Sequence, residues 1–228
     1  MLKPYYQDDA VTIYHGDCRE IVPQLGRFDL LLTDPPYGIE RFRKGFGTTR
    51  FRGLGCETKG IEWDVAPDAE WLAVLLAVAP LAVVWGMNNL PLPTTEHFLV
   101  WDKEQTVDNF ASAELAWCNL PTPAKVFRFG IHRHNQSKGG GHPTEKPLAL
   151  MNWCIGLAGD VQTILDPFAG SGTTGRAAKD LGRKCTLIER EERYCEISAK
   201  RMAQEVLPLE YRDNAVLSGN GGRKKRND

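Results

Sequence analysis

The sequence predicts an α/β domain with a mostly parallel sheet, and three features carry that prediction. Short apolar runs at 28–33 and 81–85 indicate buried strands. A stretch with helical spacing, 68–79, lies between them and gives the strand–helix–strand order of a parallel crossover. A glycine-rich turn at 170–175 follows another apolar run, as it does where α/β sheets bind ligands.

Length and composition bound the class of protein. A chain of 228 residues suits one α/β domain, and 42% hydrophobic with 25% charged residues is ordinary for a soluble protein. No apolar run has the length of a membrane span, so no membrane partner is expected. The six cysteines include no CxxC pair, which predicts reduced thiols in a cytoplasmic protein.

The first two predicted strands each end in an acidic residue. Residues 11–18 indicate a strand that runs into a Gly-Asp turn, where Asp17 is placed to cap the helix that follows. The run 28–33 ends in Asp34-Pro35-Pro36-Tyr37. Neither proline has an N–H to donate, so the strand stops there and presents a carboxylate, a stiff backbone and an aromatic ring.

Those four residues suit chemistry on an aromatic amine, which is a poor nucleophile because its lone pair is delocalised into the ring. A carboxylate and a fixed carbonyl that accept hydrogen bonds from the amine would aim its lone pair at an electrophile. Tyr37 offers a face on which an extruded base could stack. A sharp turn with no chemistry is the alternative interpretation.

The segment 38–60 has neither helical nor strand periodicity, and between 41 and 53 it carries five basic residues and no acidic one. Basic side chains interleaved with phenylalanines suit phosphate contact and base stacking. A solvated loop without function is the alternative. The basic residues are Arg41, Arg43, Lys44, Arg50 and Arg52.

Further elements follow from local signals. Asp68 is the predicted cap of the helix at 68–79. The runs 98–101 and 124–129 indicate strands whose order and direction the pattern leaves open. Pro147 suits the first turn of a helix, and apolar positions continue to Leu157. Before that helix, 130–141 is polar and glycine-rich; its two histidines lack a third ligand at suitable spacing, so no metal site is predicted.

The glycine-rich turn satisfies G-x-G-x-x-G at Gly170, Gly172 and Gly175, and Glu189 follows the next predicted strand. That is the dinucleotide fingerprint, so a nicotinamide or flavin enzyme is an open alternative. In an ordinary doubly wound fold this turn follows the first strand. Here it comes after residue 160, which predicts a circular permutation of the Rossmann-like order.

Three ordered motifs resemble those of amino-DNA methyltransferases: the Asp34 tetrapeptide, the His-Pro-Thr-Glu-Lys-Pro segment at 142–147, and Asp-Pro-Phe-Ala-Gly-Ser-Gly at 166–172. Their order, with the catalytic motif first, is that of the beta group. The resemblance covers about 11 to 203. It implies a circularly permuted Rossmann-like methyltransferase fold, with helices on both faces of the sheet and an antiparallel hairpin at its edge.

The resemblance also implies roles for particular residues. The catalytic motif consists of Asp34, Pro35, Pro36 and Tyr37. The residues expected to bind the cofactor are Asp17, Cys18, Asp34, Thr144, Lys146, Asp166, Phe168, Gly170, Ser171, Gly172, Thr173 and Glu189. Those expected to contact DNA are the five basic residues above together with Arg133 and Lys138.

The implied activity is methyl transfer from S-adenosylmethionine to adenine N6 in double-stranded DNA. Adenine is preferred because the motif begins with Asp; cytosine N4 is the near rival. A second copy in a homodimer and a cognate restriction endonuclease are further partners that the family allows, and a bacterial or phage-encoded cytoplasmic protein is implied. We expect one domain at 1–212, with a DNA-contacting loop at about 38–60, a target-recognition segment at about 118–141, and a disordered basic tail at 213–228.

Replacing Arg41, Arg43 and Arg50 by alanine should weaken DNA binding and leave the cofactor site alone. Each phosphate contact contributes roughly −0.9 to the slope of log affinity against log salt, so we expect the slope to flatten by about one to three. Fluorescence anisotropy across a salt series measures it, with calorimetry of S-adenosylmethionine as the control. An unchanged slope with collapsed cofactor affinity would make this loop a lid over the methyl donor.

Overall fold

The computed structural model describes residues 2–38, 65–105, 111–131 and 145–204. Within these ranges the chain forms one nine-stranded sheet in the order β1-β2-β9-β8-β3-β4-β6-β5-β7. The strands are β1 (Tyr6–Gln7), β2 (Val11–His15), β3 (Leu30–Thr33), β4 (Leu81–Trp85), β5 (Phe98–Asp102), β6 (Ala113–Cys118), β7 (Lys125–Arg128), β8 (Thr163–Asp166) and β9 (Lys184–Glu189).

The central strands pair in parallel, and two antiparallel pairings interrupt the pattern toward one edge. Strands β2, β9, β8, β3 and β4 all run the same way. Strand β6 is antiparallel to both β4 and β5, while β7 is parallel to β5. The start of β6 therefore lies at the same edge as the carboxyl ends of its neighbours.

Helices cover both faces of this sheet, as predicted. They are α1 (Cys18–Ile21), α2 (Ala69–Leu76), α3 (Leu148–Leu157), α4 (Thr173–Asp180) and α5 (Glu192–Met202), with a short 3-10 helix at Val22–Gln24. Asp17 caps α1 by accepting from the Arg19 N–H at 2.8 Å, and Asp68 caps α2 by accepting from the Trp71 N–H at 2.7 Å.

The alternation of side chains along the strands divides the core into two layers. Leu30 and Leu32 face one layer, which contains the buried residues of α3, α4 and α5. Leu31 faces the other, which contains the buried residues of α1 and α2. Both faces of β3 are thus apolar, which is why its sequence is a continuous hydrophobic run.

The predicted circular permutation is confirmed by the topology. The glycine-rich turn follows β8, the eighth strand along the chain, yet β8 lies in the middle of the sheet between β9 and β3. The strand predicted at 81–85 is present with those bounds, and the apolar run before the glycine-rich turn forms the strand Thr163–Asp166. Helix α5 follows β9 and covers Glu192–Met202.

The predicted antiparallel hairpin is present, and one of its two strands was not predicted. Pattern reasoning identified the strands at 98–101 and 124–129 but passed over Ala113–Cys118, whose alanines, glutamate and short length gave a weak strand signal. The antiparallel hairpin consists of β5 and β6, and β7 returns parallel to β5 at the sheet edge.

Parts of the predicted domain plan fall outside the described residues. The loop from residue 39 onward to 60 and the tail at 213–228 lie there. Of the predicted target-recognition segment, 118–131 is described and contains β7. None of the helices in the described ranges has the length and hydropathy needed to cross a lipid bilayer.

Asp29 ties the start of β3 to the start of β8, so Asp29→Ala should lower the free energy of unfolding by about 2 kcal/mol at pH 7. Its carboxylate accepts from the Gln162 N–H at 2.9 Å, the Thr163 N–H at 2.9 Å and the Thr163 hydroxyl at 3.0 Å. These hydrogen bonds lower the pKa of Asp29 from 3.8, so its stabilisation is present at neutral pH and is lost as the pH falls through the lowered value.

Urea denaturation at pH 7 and under acidic conditions measures this effect, with Asp9→Ala at an exposed aspartate as the matched control. A variant as stable as the wild type at pH 7 would contradict the role of Asp29.

Candidate active site

The carboxyl edge of the sheet collects the acidic residues that the sequence singled out. Asp34 directly follows β3, Asp166 ends β8 and Glu189 ends β9, and these three strands are near neighbours in the sheet. The Thr33 hydroxyl donates to Asp166 at 2.7 Å and so joins the ends of β3 and β8. This edge is where open α/β sheets bind their ligands.

Asp34 is held by two side chains from different parts of the chain. The Lys146 ammonium forms an ion pair with Oδ2 of Asp34, and the Tyr37 hydroxyl donates to Oδ1. The Lys146 Nζ also lies 3.4 Å from the Tyr37 hydroxyl. Since a carboxylate has about four lone-pair sites, Asp34 keeps acceptor capacity for a further donor.

Lys146 in turn is shared between two carboxylates. Its Nζ lies 3.1 Å from Oε2 of Glu114 at the start of β6, and the side chain is only 4% exposed. Oε1 of Glu114 meets the ammonium of Lys103 at 2.5 Å, just after β5 ends. Charges therefore alternate along the edge in the order Lys103, Glu114, Lys146 and Asp34.

The pKa values in this cluster follow from burial opposed by pairing. Burial raises the pKa of Asp34, and the Lys146 charge only partly offsets it. Burial would lower the pKa of Lys146, but Asp34 and Glu114 together raise it well above 10.5. For Glu114 the two lysines outweigh burial and lower the pKa to about 2. The ammonium is therefore protonated throughout the physiological range.

The aromatic ring of Tyr37 sits against the backbone of Gly86, which follows β4. A Cβ atom at Gly86 would overlap the Tyr37 ring, and Gly86 has a φ of +82° that side chains rarely adopt. Burial raises the pKa of the Tyr37 hydroxyl well above 10. Tyr37 is thus a neutral donor to Asp34 with its ring position fixed by a glycine.

The turn after β8 brings backbone close to the neighbouring elements. Gly172 has a φ of +80°, and a Cβ there would come within 2.9 Å of the Ser198 Cβ. At Gly175 a Cβ would lie 2.6 Å from Cδ1 of Leu187 in β9. The third glycine of the motif thus serves close helix–sheet packing, and the first two shape the turn.

Glu189 is placed to hold a diol. Oε2 accepts from the Gly170 N–H at 2.7 Å, and Oε1 accepts from the Glu191 N–H at 2.8 Å. Each oxygen keeps a lone pair for a further donor, such as a hydroxyl group. Burial raises the pKa of Glu189, while these backbone donors oppose the rise.

Of the other residues predicted to bind the cofactor, Asp17 and Phe168 lie near the ends of β2 and β8, and Cys18 is buried in the core. Asp17 lies just beyond His15, which is paired with Glu189 across β2 and β9. Phe168 follows Asp166 and donates its N–H to that carboxylate at 3.1 Å. The Cys18 side chain is buried, and burial raises the pKa of its thiol to about 11.

Ser171 and Thr173 belong to a polar network that the sequence did not predict. Arg201 of α5 donates to the Thr173 hydroxyl at 2.9 Å and to Glu145 at 2.6 Å. Glu145 also accepts from Thr173 at 3.1 Å. Because Glu145 immediately precedes Lys146, this network fixes the segment that delivers Lys146 to Asp34.

Several predicted site residues lie outside the part of the chain that the structure describes. Thr144, expected near the cofactor, lies outside the described residues, as do both histidines at 132 and 134. The same holds for all the residues expected to contact DNA: Arg41, Arg43, Lys44, Arg50, Arg52, Arg133 and Lys138.

Comparisons with known proteins agree with this geometry. The DNA methylase family profile matches residues 116–200. The type II methyltransferase M.HinfI of Haemophilus influenzae is 27% identical, over 91% of this chain and 72% of its own length. M2.DpnII of Streptococcus pneumoniae is 26% identical, over 90% of this chain and 94% of its own.

Two solved structures share the fold. The PvuII DNA methyltransferase, described as cytosine-N4-specific, aligns with a TM-score of 0.56 at 17% identity and covers 90% of each chain. The M1.HpyAVI–SAM complex aligns with a TM-score of 0.50 at 22% identity, over 84% of this chain and 99% of that one.

The fold is that of Rossmann-like DNA methyltransferases. The DNA methylase family match and the type II methyltransferase relatives support an amino-DNA methyltransferase of the beta group. Its order of elements, with Asp34 before the glycine-rich turn, is the order expected from the sequence.

Asp166 should make the protein less stable as its carboxyl ionises, because burial raises the pKa of Asp166 from 3.8 to about 6. The folded state favours the neutral carboxyl of Asp166. Its contribution to the free energy of unfolding is therefore complete below about pH 4 and is lost as the pH rises through 6. The free energy of unfolding of the wild type relative to Asp166→Asn should therefore fall by about 3 kcal/mol between pH 4 and pH 8.

Denaturant titrations across this range provide the measurement. Asp160→Asn, at a side chain that is 91% exposed, is the matched control. If the difference in free energy of unfolding between the wild type and Asp166→Asn stays constant or grows with pH, Asp166 is ionised throughout this range.

Proposed function

We propose that the protein transfers a methyl group from S-adenosylmethionine to the exocyclic N6 of adenine in double-stranded DNA. The observation that carries the proposal is the Asp34 carboxylate at the end of β3, held by Lys146 and Tyr37 yet retaining lone pairs for another donor. An amine N–H is the donor that such a carboxylate suits.

S-adenosylmethionine is the cofactor of this family, and when bound it supplies a methyl group carried on a sulfonium. The site fits this cofactor, since Glu189 has acceptors for the ribose hydroxyls. Asp17 follows Gly16, whose N–H donates to the Glu189 carbonyl at 2.9 Å. Gly170 and Gly172 have φ angles of +51° and +80°, which shape the turn that follows β8. M1.HpyAVI, whose fold this chain shares, was solved in complex with the same cofactor.

The residues of the chain would act on the amine by orientation. Asp34 accepts an N–H and draws the nitrogen toward a geometry in which its lone pair points away from the ring. Lys146 and the Tyr37 hydroxyl keep the carboxylate in one position, so little reorganisation is needed when the amine arrives. The Tyr37 ring, backed by Gly86, offers a surface for the extruded base.

Adenine is the proposed base because the motif begins with aspartate, and related enzymes that act on cytosine more often begin with serine. Cytosine N4 is the second candidate, supported by the fold shared with the PvuII enzyme, which is described as cytosine-N4-specific. A nicotinamide enzyme, the alternative that the glycine pattern left open, would give Asp34 no task.

Double-stranded DNA is the substrate partner that the family implies, and the bacterial cytoplasm is the proposed location. The named relatives are type II methyltransferases. Their names support a cognate restriction endonuclease as a counterpart. A homodimer is proposed on the family resemblance alone.

The proposal is tested by incubating the protein with tritiated S-adenosylmethionine and unmethylated bacterial genomic DNA, then separating the nucleosides. We expect label in N6-methyladenine. Label in N4-methylcytosine would overturn the choice of base and leave the chemistry intact. Absence of label in DNA would overturn the function.

Asp34→Ala should reduce the methyl-transfer rate about a hundredfold, because removing one preorganised contact costs about 3 kcal/mol in the transition state. Single-turnover kinetics at saturating cofactor measure the rate. Thermal denaturation of the variant verifies that the fold survives, and Asp9→Ala is the matched control. Wild-type turnover in a folded Asp34→Ala protein would exclude the proposed contact with the amine.

A further inference from the structure

Glu114 belongs to none of the three sequence motifs, yet it is the second carboxylate on the buried Lys146. Glu114 is the second residue of β6. Because β6 runs antiparallel to β4, the first residues of β6 lie at the edge where the parallel strands end. Oε2 of Glu114 lies 3.1 Å from the Lys146 Nζ, and Lys146 also contacts Asp34. Glu114 therefore acts on Asp34 through the lysine.

We propose that Glu114 is a positioning residue for the methyl-transfer reaction, which shares Lys146 with Asp34 and so keeps Asp34 a strong acceptor for the substrate amine. The inference rests on the proposed function of Asp34. It assigns a task in catalysis to the β5–β6 hairpin.

The physical reason lies in how one ammonium divides between two carboxylates. If Lys146 had Asp34 as its sole partner, the pair would be neutral and the negative charge on Asp34 largely cancelled. Glu114 takes part of that charge, and Lys103 at 2.5 Å in turn balances Glu114. Asp34 is then left with more negative charge toward the open side of the site.

Glu114 also fixes the lysine in space. A long, flexible ammonium paired with one carboxylate could rotate with it, whereas two partners from β6 and the end of β3 determine its position. Lys103 is itself held, with its Nζ 5.0 Å from the centroid of the Trp101 ring. The orientation of the Asp34 carboxylate is thus determined by groups anchored to the sheet and not by a freely rotating lysine side chain.

The arrangement makes a prediction about pH because Glu114 is a negative charge near Asp34. Within the described part of the chain, the groups that face Asp34 are Lys146, Glu114 and Tyr37, with Asp166 as a more distant neighbour on β8. Removing the Glu114 charge should lower the pKa of Asp34, since a like charge disfavours ionisation. The acidic limb of the rate profile should then move to lower pH while the maximal rate falls.

The test compares Glu114→Gln with the wild type, with Glu104→Gln as the matched control at an exposed glutamate on the same edge. We expect Glu114→Gln to reduce the single-turnover rate of methyl transfer to genomic DNA about tenfold, the effect of one charge-assisted contact. The acidic limb should shift to lower pH, and Glu104→Gln should match the wild type in both.

A second variant guards against misfolding, because Glu114→Gln leaves Lys103 without its close partner. Lys103→Met combined with Glu114→Gln removes both charges of that pair and retains side chains of similar length. We expect the double variant to fold and still to show the reduced rate. A folded variant with the wild-type rate, or with a uniformly lower rate and an unshifted limb, would overturn the proposal.

A measurement without cofactor or DNA separates this inference from the proposed function. In protein labelled with ¹³C at aspartate, the carboxyl signal of Asp34, assigned with Asp34→Asn, should titrate at lower pH in Glu114→Gln. That shift without methyl transfer by the wild type would overturn the proposed function and, with it, the positioning role. Methyl transfer by the wild type with no such shift would overturn the inference alone.

Discussion

The site depends on a buried ammonium that cannot stay charged without its partners. Lys146 is 5% exposed, and taking its charge out of water is costly unless opposite charges surround it. Asp34 and Glu114 supply those charges. A set of apolar side chains would stabilise the same fold at least as well, so the cluster is better explained by what it does for Asp34 than by stability.

Topology explains how residues distant in sequence reach this cluster. The parallel strands β3 and β5 end at the same edge of the sheet, where Asp34 and Lys103 follow them. Strand β6 runs in the opposite direction, so its first residues, including Glu114, lie at that edge as well. Lys146 arrives from the segment before α3, which Glu145 and Arg201 fix to the glycine-rich turn. The glycine-rich turn near Glu189 and the charged cluster around Asp34 are therefore connected through Glu145 and Lys146, which are adjacent in the chain.

Sequence patterns predicted the parallel part of this fold well, because strands buried on both faces, such as β3, are continuous apolar runs flanked by turns. The late glycine turn was enough to predict the permutation. The hairpin was harder, since β6 begins Ala-Glu and its glutamate looks like a solvent-facing residue. The sequence signal for Glu114 was a glutamate inside an otherwise apolar stretch. The sequence held no signal for the role of Arg201, because it lies on a charged helix and only the packing shows which groups it contacts.

The sign of the pKa shift at Lys146 tests this account most directly, because burial and pairing push it in opposite directions. Protein labelled with ¹⁵N at lysine, with the Lys146 signal assigned by Lys146→Arg, can be titrated by NMR. If Asp34 and Glu114 hold the ammonium, it stays protonated beyond its ordinary value of 10.5. If Lys146 loses its proton below that value, the ion-pair cluster on which the site depends does not exist.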